Sequence, residues 1–233
     1  PLPLYDPCCG SGTIVIEAAQ LALALPAGGR RRFGFERLKG FDAAQWNTIK
    51  SEAARACSTS AGGQNGLKPA TVHVFGSDVA HRMVDFAQRN AARAGVAQAV
   101  QLRGGDALQR LPPSDRPGVL LMNPPYGERI AAAGVAGRGR EAFQSGTLAQ
   151  QRADRAAAGD VNAGDEFFQR LAAHWKSHYA GWSAWLLTPD LKLPGRLRLK
   201  ESRRVPLWNG PIECRLFRFD LTARTPRTPQ PGA

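Results

Sequence analysis

The run Asn123-Pro124-Pro125-Tyr126 closes an apolar segment, "GVLLM", and is followed by Gly127. These residue types suit chemistry on an exocyclic amine. Such an amine, conjugated to a base ring, is a poor nucleophile. Acceptors on its two N–H bonds, the Asn123 side-chain oxygen and the Pro124 carbonyl, would localise its lone pair and aim it at an electrophile. Two prolines stiffen the loop that holds those acceptors. Tyr126 is placed to stack on the base, with Gly127 leaving room for the ring. Adenine N6, guanine N2 and a glutamine amide all offer two N–H bonds, so the loop by itself leaves the acceptor open among them.

A second set of residues defines what the electrophile would be. "YDPCCGSGTIVIEAA", Tyr5 to Ala19, reads as a strand running through a glycine turn into a helix, a junction where nucleotide-like ligands approach the backbone closely. A dinucleotide fingerprint needs a third glycine where Val15 stands, and no Gly-Lys-Ser/Thr follows the turn, so neither a dehydrogenase nor a phosphate-loop nucleotidase is indicated. What remains is Gly10, Ser11 and Gly12 with an acid of their own, Asp6, and two acids at the ends of later strands, Asp78 and Asp106. Such a set matches S-adenosylmethionine: an ammonium for an acidic turn, a ribose diol for a carboxylate, and an adenine amine for a further acceptor. Asp42 is a rival ribose acceptor but follows no convincing strand. His174 and His178 stand four apart without a third ligand and beside Lys176, which does not make a metal site.

Repeated strand–helix units supply the scaffold for these residues. Leu2–Asp6 reads as a strand and Thr13–Leu25 as a buried helix stopped by Pro26. Residues 27–70 read as an insertion with one helix, Ala43–Cys57. "TVHVFGSD" is a strand ending on Asp78, followed by a helix with Val79, Met83, Phe86, Ala87 and Ala91 on one stripe and Gly95 after its end. "QAVQLRGGDA" and "GVLLMN" give strands ending at Asp106 and Asn123. The stretch 131–164, rich in Gly, Ala, Arg and Gln, reads as a mobile loop. Asp165 is expected to cap a helix running to Ala180, with Phe168, Leu171, Trp175 and Tyr179 on its apolar face. "WSAWLLTP" is a fifth strand, and Asn209-Gly210 marks a hairpin that Pro206 and Pro211 push to a sheet edge. The whole predicts an α/β fold of Rossmann-like type, a mostly parallel doubly wound sheet with an antiparallel C-terminal hairpin.

The chain has 233 residues, 43% apolar, enough for one sizeable core. Its net charge of +12 points to a polyanionic partner, nucleic acid first, and the preference for arginine over lysine favours phosphate forks and base stacking. Arg30-Arg31-Arg32 is open between a phosphate contact and an exposed loop. Four cysteines without regular spacing indicate neither a zinc site nor a disulfide framework. No run has the length of a membrane span and nothing resembles a secretion signal, so a cytoplasmic protein is expected. The first residue is Pro1 and a strand begins at once, so a preceding part of a longer polypeptide is expected too.

At this point the chain resembles the class I S-adenosylmethionine-dependent methyltransferases with an N-P-P-Y motif. It is most similar to the catalytic domain of THUMP-containing RNA methyltransferases that modify guanine N2 in bacterial large-subunit ribosomal RNA. The resemblance rests on "LYDPCCGSGTIVIEAA", "FGFERLKGFD", "GSDVAHRMVDFAQRNAARAGV", "MNPPYGERI" and "NGPIECRLF", nearly end to end. It implies S-adenosylmethionine held by Asp6, Gly10, Ser11, Gly12, Asp78 and Asp106, a target amine held by Asn123, Pro124 and Tyr126, no metal, and 23S rRNA as partner. It also implies an upstream THUMP-type domain. Residues 1–221 would be the catalytic domain and 222–233 a basic, proline-rich, unfolded tail. N6-adenine methylation of RNA or DNA, and a catalytically silent RNA-binding fragment, are the competing readings.

Overall fold

Strand β1, Leu4–Asp6, buries Tyr5 and Asp6 and hands the chain to a turn that ends on Gly12. Helix α1, Thr13–Ala22, starts there. In the computed structural model, residues 2–60, 72–124 and 160–222 are described. The described chain forms two compact units, divided between Gly105 and Asp106.

In the first unit three strands run parallel in the order β3-β2-β1, where β2 is Val74–Asp78 and β3 is Val100–Gly104. Parallel pairing requires crossovers. α1 and the segment containing α2, Ala43–Ser60, lead from β1 to β2, and α3, His81–Ala94, leads from β2 to β3. Their apolar faces meet in one cluster containing Val15 and Ala19 of α1, Val74 of β2, and Ala87 and Ala91 of α3. The buried stripe of α3 is Val84, Ala87 and Ala91. Met83 and Phe86, expected on that stripe, are half-buried, because the helix is rotated so that Phe86 lies under the guanidinium groups of Arg82 and Arg89. α1 ends at Ala22 rather than Leu25: Leu23 caps it, and Ala24 turns the chain at φ +53°.

In the second unit β4, Val119–Met122, pairs in parallel with β5, Ser183–Thr188. β7, Ile212–Asp220, lies antiparallel on the far side of β5, and β6, Arg203–Asn209, forms the edge. β6 and β7 are joined by Gly210-Pro211, with Asn209 still in register with Ile212, so the turn sits one residue later than the Asn-Gly signal suggested. Edge placement of β6 is what Pro206 requires, since proline donates no ladder hydrogen bond. Helix α4 runs Asp160–His178, placing Asp165 inside the helix and not at its cap. The glycine at 164 does not stop it, because one glycine costs a helix only about 1 kcal/mol. Trp175, Leu171 and Phe168 are buried as its spacing predicts, and Tyr179 follows its end. A short helix, α5, Leu193–Leu197, completes the unit. Pairings are parallel among β1, β2 and β3 and between β4 and β5, and antiparallel for the hairpin strands, which is the expected mixed α/β sheet class. Of the loop expected at 131–164, residues 160–164 belong to α4 instead and 131–159 lie outside the described residues, as do residues 223–233 of the tail expected at 222–233.

Candidate active site

Asp6, Gly10 and Asp78 come together at the turn after β1. Asp6 is 1% exposed, and its Oδ1 accepts the Cys8 N–H at 3.0 Å. Asp78 reaches across from the end of β2: its Oδ2 accepts the Gly10 N–H at 3.0 Å and its Oδ1 the Ala80 N–H at 2.9 Å. The Gly12 N–H donates to the Cys9 carbonyl at 2.8 Å, and the Cys9 N–H to the Ser77 carbonyl at 2.9 Å. Gly10 and Gly12 have φ of +53° and +91°, left-handed backbone that a side chain at either position would strain. A Cβ on Gly12 would also stand 3.0 Å from Ala87 Cβ of α3.

These hydrogen bonds decide what charge the turn welcomes. A phosphate cradle offers free N–H groups, whereas here the N–H groups of Cys8, Gly10 and Gly12 are already engaged, two of them by carboxylates. Two acids at one turn favour a cation. Burial pushes the Asp6 carboxyl up to about 7 from 3.8, against the Cys8 N–H, which lowers it, and with the Asp78 charge raising it further. Burial, with the same two carboxylates, pushes the Cys9 thiol up to about 12, so this thiol stays protonated and unreactive.

The other expected residues are placed as follows. The Ser11 carbonyl accepts a hydrogen bond from Asn90 Nδ2 at 2.9 Å, which supports the turn. Asp106 lies two residues past the end of β3 and opens a turn: its Oδ1 accepts the Leu108 N–H at 2.9 Å, and its carbonyl accepts the N–H groups of Gln109 and Arg110 at 3.0 Å. Asn123 follows β4 directly and is exposed, and Pro124 beside it is buried. Tyr126 lies outside the described residues. The first unit thus brings Asp6, Gly10 and Asp78 to one turn, and the second carries Asn123 at the end of β4. Residues 2–142 match the family described as UPF0020, RMKL-like, methyltransferase domain.

The chain belongs to the RMKL-like methyltransferase domain family. Over its whole length it is 34% identical to the ribosomal RNA large subunit methyltransferase K/L of Shewanella loihica, and it spans 28% of that protein's length. Among solved structures, a methyltransferase complexed with SAH is 25% identical with a TM-score of 0.67, covering 96% of this chain and 48% of that one. A methylase from Clostridium difficile 630 matches at the same identity and score, covering 97% of this chain and 50% of that one.

Three residues of this methyltransferase domain carry positioning work that sequence reading overlooked. Asn90, in mid-helix, ties α3 to the glycine turn. Ser77, fully buried, takes a 2.6 Å hydrogen bond with Tyr5 Oη and so joins β2 to β1. Gly76 gives Val15 its space: a Cβ there would stand 3.2 Å from Val15 Cγ1 and 2.8 Å from Leu102 Cδ2. In a dinucleotide fold the glycine that lets helix and strand approach sits on the helix; here the helix carries valine and the strand carries the glycine. His174 is explained without a metal. Its Nε2–H and the Tyr179 hydroxyl both donate to the Arg110 carbonyl, at 2.7 and 2.8 Å, pinning the turn that Asp106 opens. Among the described residues no group of His, Cys, Asp or Glu could hold a metal ion, and no helix is long and apolar enough to cross a membrane.

Proposed function

We propose that this domain transfers a methyl group from S-adenosylmethionine to an exocyclic base amine, guanine N2 of large-subunit ribosomal RNA. The observation that carries the reading is the glycine turn whose Cys8 and Gly10 N–H groups are satisfied by Asp6 and Asp78, an anionic seat suited to a cationic cofactor and unsuited to a pyrophosphate. Gly10 and Gly12 present no side chain to the ligand, and Asp6 would meet the methionine ammonium. Asp78, with lone pairs beyond those used by Gly10 and Ala80, would accept from the ribose, and Asp106 would serve the adenine end. When bound, S-adenosylmethionine supplies an electrophilic methyl on sulfur. The Asn123 side chain and Pro124 carbonyl would accept the two N–H bonds of the target amine and orient its lone pair, with Tyr126 stacked on the base.

The name of the Shewanella relative supports ribosomal RNA as substrate, and the net charge of +12 supports a polyanion. The proposal extends to residues 1–221 as the catalytic domain with 222–233 as a basic tail. It also includes an upstream THUMP-type part that adds RNA affinity, and action in the cytoplasm. The test is nucleoside mass spectrometry of large-subunit RNA incubated with S-adenosylmethionine and the domain, alone and within its longer polypeptide. N2-methylguanosine is expected. N6-methyladenosine instead would overturn the base assignment. Asn123→Ala is expected to lower kcat by 100-fold or more, on the order of 3 kcal/mol, with cofactor affinity changed less than about threefold. Equal losses in kcat and cofactor affinity would remove Asn123 from the amine site.

A further inference from the structure

Beside the glycine turn, between the segment that joins α1 to α2 and the helices α1 and α3, lies a cavity of about 730 Å³ that shares Ser11 with the turn. Its lining includes Arg30, Arg31, Arg32 and Arg93, with Glu17 the one acid. None of the ion pairs among the described residues engages these four arginines. Three of the four, Arg30, Arg31 and Arg93, are nevertheless held in place. The Arg30 guanidinium lies over Gly95 at the carboxyl end of α3, where an added Cβ would stand 2.5 Å from its Nη1. Arg31 lies over the Phe33 ring, 5.6 Å from its centroid, and Arg93 donates to Asn90 Oδ1, the residue that also holds the Ser11 carbonyl.

Phe33 also lines a second cavity, of about 270 Å³, together with Trp46 and Lys50. Phe33 and Phe35 are stacked at 5.3 Å, and Trp46 meets both rings edge-on at 5.7 and 5.0 Å. Phe35 is 41% exposed, so the aromatic cluster is open to solvent. Pre-positioned arginines without carboxylate partners, next to an accessible aromatic platform, match the two elements of single-stranded nucleic-acid binding: cations along a backbone and rings on which bases stack.

From this juxtaposition we infer that the insertion is an RNA-binding subsite, with Arg31, Arg32 and Arg93 on phosphates and Phe35 under a base. Through Asn90, a phosphate on Arg93 would act on the turn that seats the cofactor. The inference rests on the reading of this domain as an RNA methyltransferase and places part of the substrate strand on it.

The test is fluorescence anisotropy of a labelled single-stranded RNA of about a dozen nucleotides, titrated over a range of salt. Arg31→Ala/Arg32→Ala is expected to weaken binding about tenfold at 0.1 M salt and to reduce the slope of log affinity against log salt by about 1.4, two phosphates at about 0.7 each. Phe35→Ala should weaken it further, by 5-fold or more, with the slope unchanged. Cofactor affinity should be the same in all variants, and each should keep a cooperative thermal transition, with Phe35→Ala allowed the lower midpoint that its lost ring contacts imply. Lys200→Ala/Arg203→Ala, which removes two exposed cations from the other unit, serves as the charge control. If that control weakens RNA as much as Arg31→Ala/Arg32→Ala, or if the latter binds RNA like wild type, the subsite is overturned while the methyltransferase reading stands. If an acidic polypeptide, polyglutamate, competes as well as RNA, the site belongs to a protein partner and the subsite is again overturned. Absence of any RNA binding by the wild-type domain would count against the RNA-substrate reading itself, and the subsite would fall with it.

Discussion

Asp6 and Asp78 divide one task at the residue scale. Asp78 holds two backbone N–H groups and fixes the turn, while Asp6, buried beneath it, carries a proton to an unusually high pH. The unfolded Asp6 carboxyl loses its proton near pH 3.8 and the folded one near 7, so between these values the native state holds one proton more. Stability therefore falls as pH rises through that window, by on the order of 4 kcal/mol, and is flat above it. On the proposed reading, cofactor binding should have the opposite dependence, because an ammonium beside Asp6 would favour its charged form. Between pH 5 and about 7 affinity should rise with pH and binding should release a proton, read by calorimetry in buffers of different ionisation enthalpy. Asp6→Asn keeps an acceptor for the Cys8 N–H and cannot titrate. It should abolish both dependences and weaken the cofactor at pH 8; a variant whose pH profiles match wild type would move the titrating group elsewhere.

At the scale of elements, the contact between α1 and β2 shows how the fold makes room for a ligand turn. Val15 is fully buried against a strand position that has no side chain, Gly76, and the helix is thereby drawn close enough for Asp78 to reach Gly10. Gly76→Ala should cost about 1–3 kcal/mol in chemical denaturation, since its Cβ would meet Leu102, Cys9 and Val15 at 2.8, 3.2 and 3.2 Å. Adding Val15→Ala should relieve part of that overlap, so the double variant should be less destabilised than the sum of the single ones. Strict additivity would show that the two positions do not share this space. The effect belongs to the pair of elements, because neither residue is unusual in its own helix or strand.

For the whole molecule the governing quantity is charge. With 31 Lys and Arg against 19 Asp and Glu, the chain attracts any polyanion, and each phosphate it neutralises releases counterions. RNA affinity of the intact domain should accordingly fall steeply between 50 and 200 mM salt, while affinity for S-adenosylmethionine, which the proposed seat would hold on two acids at short range, should change little. Filter binding for RNA and calorimetry for the cofactor give the two slopes. A flat RNA slope would return the basic residues to a solubilising surface.

Much of this protein was legible before any coordinate. Strand–turn–helix order, the glycine pair with Asp6, the acid closing β2 and the Asn-Pro pair closing β4 all depend on local chemistry: periodicity, left-handed glycines and proline stiffness act within a few residues, so the sequence determines them directly. The family resemblance read from those motifs agrees with the family match. Element ends were less legible, as at α1, which stops at Ala22, and α4, which passes through Gly164, because helix ends are settled by packing that differs from propensity by only about 1 kcal/mol. Only the tertiary structure decided the rest. It showed that Asp78 reaches Gly10 across 68 positions and that Asn90 holds Ser11 across 79. It buried Asp6, which raises its pKa, and put Gly76 rather than Val15 at the close approach. It also gathered Arg31, Arg93 and Phe33 at one cavity. Each of these joins residues far apart in the chain, and their distances are fixed by the meeting of strands and helices around a common core, which no local pattern encodes.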